Sequence, residues 1–214
     1  MNATLHDTAQ AVRFDSPRKV EAEDQVRADY YALLAHLFYR APDEPLLQAM
    51  VISAEPVGEG DNTLARAWAG LAAASGVITP DALDEEYQAL FVGVGRPPVM
   101  LFGSFYMAGF MNEKPLAELR GDLRQHGYTR AASATEPEDH LAAVCDVMRA
   151  MILGDVARAP ASIETQRTFF DKHMRPWVLQ CCAAITENEQ SNYYRRVAAF
   201  AAAFFAIEME AFEM

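Results

Sequence analysis

Val197-Ala198-Ala199-Phe200-Ala201-Ala202-Ala203-Phe204-Phe205-Ala206-Ile207 is an unbroken apolar run of eleven residues between Arg196 and Glu208. Crossing a bilayer takes about 20 apolar residues, so this run is too short to span one and reads as a helix buried in protein. Its surroundings, 191–212, are apolar nearly all round, which places that helix at the centre of a core. Working back along the chain, Val26, Tyr30, Leu33, Leu34, Leu37 and Phe38 recur at spacings of three and four within 21–40, forming one helical stripe that ends at Ala41-Pro42. Similar patterns occupy 43–54, 62–75 and 80–91, with Pro45, Pro56 and Gly76 as punctuation and Thr79-Pro80 as a start.

The second half continues in the same way. A short helical stretch is expected over 104–111. A helix opening at Lys114-Pro115 carries Leu116, Leu119 and Leu123 and is capped by Gly127. Thr135-Glu136-Pro137-Glu138 has the form of a capping box, and the helix after it places Leu141, Val144, Cys145, Met148 and Ile152 on one face. Helices follow over 162–174, 176–188 and 191–212, and no strand-like alternation is seen. The fold expected is all-α: a single helical-bundle domain of about ten helices over 21–214, behind a mobile N-terminal arm, 1–20, that lacks periodic pattern and contains Pro17. Between 92 and 103, two glycines and Pro97-Pro98 forbid a regular helix, so that stretch is a long ordered loop or a hinge.

Composition removes several function classes. With 214 residues and 51% apolar content the chain can bury a sizeable core. Its 18 basic and 30 acidic residues leave a formal charge of -12, a field that repels phosphate, argues against nucleic acid and favours a cationic partner. No apolar export segment opens the chain, so the cytoplasm is expected and no membrane embedding. Cys145, Cys181 and Cys182 are an odd set without metal-ligand or redox spacing and read as buried, reduced thiols.

Searching for chemistry yields specific failures. Gly93-Val94-Gly95 is followed by Arg-Pro-Pro rather than a phosphate-binding lysine motif. Gly103-Ser104-Phe105 lacks the second glycine and the preceding strand of a nucleophile elbow. Glu136 and His140 share a helical spacing of four, but no second such pair exists to complete a metal site. No catalytic residue, metal or cofactor is expected.

Two constellations remain. Tyr87, Leu90 and Phe91 in Glu86-Tyr87-Gln88-Ala89-Leu90-Phe91 gather on one face just before the Gly/Pro loop and Leu101-Phe102-Gly103-Ser104; without a ligand they are a packed helix end. Glu136-Pro137-Glu138-Asp139-His140 opens a helix with three carboxylates near its positive end, which without a ligand is a good cap. On an ideal helix Asp139 faces outward while His140 borders the core, giving an anionic rim beside an apolar floor. Such a surface suits a peptide with arginines next to leucines.

These residues resemble the TorD/DmsD/NarJ group of cytoplasmic chaperones that mature molybdenum redox enzymes. The likeness rests on Glu86-Tyr87-x-x-Leu90-Phe91-Val92-Gly93, on Gly103-Ser104 with Tyr106, and on Glu136-Pro137-x-Asp139-His140. A weaker match lies in Phe169-Phe170-x-x-His173-Met174-x-Pro176-Trp177. It implies a TorD-like helical fold and a non-enzymatic role: binding the twin-arginine signal peptide, the apo form, or both, of a DMSO/TMAO reductase or formate dehydrogenase type molybdoenzyme before Tat export. By the same resemblance Tyr87, Leu90, Phe91, Leu101, Phe102, Gly103, Ser104 and Tyr106 line a signal-peptide groove. Asp139 and His140 stand opposite, with Glu136 and Pro137 shaping the helix entry. Phe102 departs from the tryptophan or tyrosine common there. The resemblance also implies a monomer or domain-swapped dimer and weak guanine nucleotide binding, for which no phosphate loop is present. The alternatives are a helical partner-binding subunit, or a metal- or cofactor-binding enzyme using His140.

Overall fold

The computed structural model describes residues 21–54, 62–93, 95–131, 134–155 and 157–214. The expected arm, 1–20, lies outside them. Among the described residues there are ten α-helices and no strand. They are α1 (Ala22–Tyr39), α2 (Glu44–Ile52), α3 (Thr63–Ser75), α4 (Pro80–Tyr87), α5 (Gly103–Ala108), α6 (Lys114–Gln125), α7 (Leu141–Leu153), α8 (Ile163–His173), α9 (Val178–Glu187) and α10 (Tyr193–Ala211). Several start where a side chain takes an orphan amide: Asp43, Asn62, Thr79 and Ser162 accept from Leu46, Ala65, Ala82 and Thr165 respectively.

The run that opened the sequence reading is the central helix. Val197, Phe200, Ala201, Phe204 and Phe205 of α10 are all buried, while Ala199 and Ile207 reach solvent along a narrow stripe. α10 packs against α3 and α9, and α1 packs lengthwise on α7. Rings lock the centre: Phe200 meets Tyr30 at 5.3 Å and Trp68 at 5.3 Å, and Phe204 meets Tyr31 at 4.9 Å.

Two polar contacts that periodicity does not show tie the core together. Arg27 on α1 donates from Nε and Nη2 to the two carboxylate oxygens of Glu208 at 2.8 and 2.9 Å, and the Tyr31 hydroxyl donates to the same group at 3.0 Å. Burial works against the Arg27 charge, but the bond and charge of Glu208 outweigh it and raise the guanidinium pKa above its ordinary value. The second contact caps α10. Glu86, at the end of α4, accepts the backbone N–H groups of Asn192, Tyr193 and Tyr194 at 2.8, 3.0 and 2.8 Å.

Three boundaries differ from the periodic reading. The expected 80–91 helix stops at Tyr87 and widens into a π-helical turn, Gln88–Val92, closed by Gly93 N–H donating to Gln88 at 2.7 Å. That turn leaves the Leu90 carbonyl free to accept Val99 N–H at 3.1 Å, anchoring the far end of the Gly/Pro loop. The 104–111 stretch is helical only to Ala108 and closes on Gly109 in the left-handed region. The helix expected after Thr135 begins at Leu141: Thr135 is exposed, and Glu138 pairs with Arg120 of α6 at 2.8 Å instead of reaching back to a cap. The physical cause is a turn at Glu138 and Asp139 followed by a backbone bridge that holds His140 extended.

Candidate functional site

That bridge creates the site. Gly103 N–H donates to the Asp139 carbonyl at 2.9 Å and Leu141 N–H to the Leu101 carbonyl at 2.8 Å, so the end of the Gly/Pro loop pairs antiparallel with the entry to α7. Together with the bond from Val99 to Leu90 it brings the three motif segments, far apart in sequence, onto one wall.

Asp139 occupies a turn rather than a helix, so the helical spacing that points it outward does not apply. It is only 4% exposed, and its Oδ2 accepts the first amide of α5 that it can reach, Ser104 N–H, at 2.8 Å. The outward-facing carboxylate of the sequence reading is thus turned inward as an anchor for α5. The other oxygen, Oδ1, and the Ser104 hydroxyl are buried without partners among the described residues. Asp139→Asn keeps an acceptor but loses the charge-assisted bond, and is expected to destabilise the protein by about 1–2 kcal/mol in urea denaturation. An unchanged midpoint would contradict the anchoring role.

His140 is the N-cap of α7: its Nδ1 accepts Ala142 N–H at 3.1 Å. A backbone amide can only donate, so Nδ1 is unprotonated and the neutral ring carries its hydrogen on Nε2. Burial lowers the imidazole from its ordinary 6.5 to about 4. The unfolded chain therefore takes this proton first, and the stability held by neutral His140 is full above about pH 6.5 and is lost as pH falls toward 4. His36 and His173 shift in the same direction, His36 through burial and Arg40, His173 through burial. The urea midpoint is expected to fall between pH 7 and pH 5, and less steeply in His140→Asn, which can still cap.

The other expected residues divide by exposure. Leu90, Leu101, Gly103 and Ser104 are buried and build the wall from beneath. Gly103 is pressed on Trp177, where a Cβ would stand 2.9 Å from the indole nitrogen, so only glycine lets α5 start there. The Tyr87 hydroxyl donates to the carbonyls of Phe38 and Tyr39 at 3.2 and 2.8 Å, and its pKa is pushed up to about 12, first by burial and then by nearby Glu136. Phe91 is half-buried against Tyr87 and Tyr194, and Tyr106 donates to Met100 while stacking on Trp177. Phe102, Glu136 and Pro137 stay half-exposed; the Phe102 ring meets the His140 ring edge-on at 5.0 Å.

Glu136 and His140 open on a cavity of about 580 Å³ between α1 and α7. Its floor is Ala32, Ala35, Ala142 and Ala143, and its sides carry His36, Tyr39, Arg40, Asp146 and Arg149. None of those five was singled out in the sequence. Their helical spacing on α1 and α7 is visible there, but which two helices face each other is not. The rim is mixed rather than anionic, since Arg40 and Arg149 stand with Glu136 and Asp146, and Arg149 reaches Asp146 only at 3.6 Å. No group of three His, Cys, Asp or Glu suited to a metal occurs among the described residues. All three cysteines are free and buried, with burial raising each thiol pKa. No helix among the described residues is long and apolar enough to cross a membrane.

Comparison with known proteins identifies the family and the fold. Chaperone protein TorD of Vibrio cholerae is 26% identical over 128 residues, covering 57% of this chain and 58% of the relative. A Haemophilus influenzae protein named as a Tat proofreading chaperone, DmsD, is 28% identical over 120 residues, 54% of this chain and 55% of that one. The matches thus span rather more than half the length of these relatives. A redox enzyme maturation protein from Archaeoglobus fulgidus shares the fold, with a TM-score of 0.53 at 18% identity over 92% of this chain and 99% of that one. The family model described as nitrate reductase delta subunit matches residues 58–183, more than half of the sequence. The chain is therefore a member of the nitrate reductase delta subunit family, the group that contains the TorD and DmsD chaperones.

Proposed function

We propose that this protein is a cytoplasmic chaperone of molybdoenzyme maturation, with residues 21–214 as its working domain, that holds the twin-arginine signal peptide of an apo-enzyme of the DMSO/TMAO reductase or formate dehydrogenase type until its cofactor is loaded. The observation that carries the reading is the convergence of the three motif segments, through the bridge between 101–103 and 139–141 and the bond from Val99 to Leu90, beside a cavity with carboxylates and guanidinium groups on its rim. The relatives' names, a chaperone and a Tat proofreading chaperone, support the chaperone class, and the client class is part of the proposal. No chemistry is performed. Binding is the whole activity, and the partner is a peptide rather than nucleic acid or membrane.

Within this reading the groups that line the cavity and its edge divide the work. His140 presents a neutral Nε2–H that suits a peptide carbonyl, and Glu136 and Asp146 accept from guanidinium. Phe102 and the alanine floor take apolar side chains. A few anchors at about 1.5–3 kcal/mol each, less the cost of ordering the peptide, give a dissociation constant of about 1 μM. The test is calorimetric titration with twin-arginine signal peptides and with versions carrying lysine at both arginines. The arginine peptides are expected to bind more tightly, since lysine cannot make the forked contact, and more weakly as salt rises. Equal binding of the two peptides would overturn the reading.

A further inference from the structure

We propose that the outer face of Phe105 is a guanidinium seat within this binding site, and that Arg96 of the Gly/Pro loop is its resident occupant, displaced when a client arginine arrives. The inference rests on the peptide-binding reading above. Its starting point is one contact: the Arg96 guanidinium carbon lies 4.9 Å from the centre of the Phe105 ring. Arg96 is exposed and makes no hydrogen bond or ion pair among the described residues, so the ring is what holds it.

The ring is placed and stiffened for this. Phe105 lies in the first turn of α5, between Ser104 and Tyr106 of the wall, and its N–H donates to the carbonyl of Phe102, the residue whose ring meets His140, at 3.2 Å. Tyr106 meets the Phe105 ring edge-on at 5.2 Å, and Tyr106 stacks at 17° on Trp177, which is 1% exposed and donates to the His173 carbonyl at 2.7 Å. The aromatic series is rooted in the core and ends at a half-exposed face, a pre-organised platform for a flat cation. The occupant is held less firmly. Gly95, with φ at 93°, precedes Arg96, and among the described residues the loop's next backbone hydrogen bond comes at Val99. A planar, weakly hydrated guanidinium stacks on such a ring better than an ammonium does, so the seat favours arginine over lysine.

Displacement makes a specific pattern of affinities. An exposed contact of this kind is weak, so freeing the seat is worth about two- to five-fold in affinity. In calorimetric titrations, Arg96→Lys, which keeps the charge, is expected to bind a twin-arginine peptide about two- to five-fold more tightly than the parent and the twin-lysine version unchanged. Phe105→Leu is expected to bind the arginine peptide more weakly and to make Arg96→Lys silent when combined. Parent-like affinity in Arg96→Lys, or an equal gain for both peptides, would overturn this inference alone. A parent chain that does not distinguish arginine from lysine peptides would overturn the peptide-binding reading and the inference with it.

Discussion

Glu208→Leu is expected to destabilise the protein by about 3–5 kcal/mol, seen as a lower urea midpoint at unchanged slope. Glu208 is 1% exposed, and its two oxygens receive Arg27 and Tyr31 from α1. Once it is gone, the Arg27 side chain, 13% exposed, keeps the partly exposed Asp24 as its one remaining anionic partner among the described residues, beside the amide oxygen of Gln166 and the ring of Phe212 at 5.6 Å. A buried guanidinium without its principal partner is costly because the Coulomb term that offset its desolvation has been removed. The pair itself contributes far less than this loss suggests. Replacing both residues, Arg27→Met with Glu208→Leu, is expected to return to within about 2 kcal/mol of the parent, the remainder coming mainly from the stranded Tyr31 hydroxyl. A double variant no better than the single one would mean that the ion pair holds α1 on α10 by itself.

Glu86→Ala is the second large effect, at about 2–4 kcal/mol. The N-cap residue of α10, Asn192, makes no side-chain cap, and the three N–H groups that open this helix are taken by the Glu86 carboxylate. A carboxylate there satisfies orphan donors and meets the positive end of the helix dipole. Glu86→Gln keeps one acceptor oxygen and should lose roughly half as much. Since Glu86 and Tyr87 together fasten α4 to α10 and α1, the loss should also appear as faster amide exchange in the π-helical turn that follows. Equal exchange rates there would separate the cap from the site.

Most of the helices were legible because their apolar stripes have the period of the helix and their ends carry proline, glycine or a capping side chain. The central place of α10 follows from a run apolar on nearly every side. What periodicity does not contain is pairing between distant segments. The capping-box spacing at Thr135 looked like a helix start, but a turn at Glu138 and Asp139 and the bridge that holds His140 extended delay the helix until Leu141. The same turn reverses the reading of Asp139, since a residue in a turn obeys no 100° rule. Leu90 lies fully buried within the π-helical turn, while its neighbour Phe91 stays partly exposed. The cavity was hidden because its two sides are unremarkable alanine-bearing faces of α1 and α7 until those helices are set together.

The most direct test of the account is hydrogen exchange of the protein with and without a saturating twin-arginine signal peptide. Slowed exchange is expected at 36–40 and 136–143, which line the cavity, and at 101–106, which is bridged to 139–141, with little change in α3 and α9. Protection confined to α3, α4 and α10, with 101–106 and 136–143 unchanged, would contradict the account and move the binding surface to the pocket those three helices line.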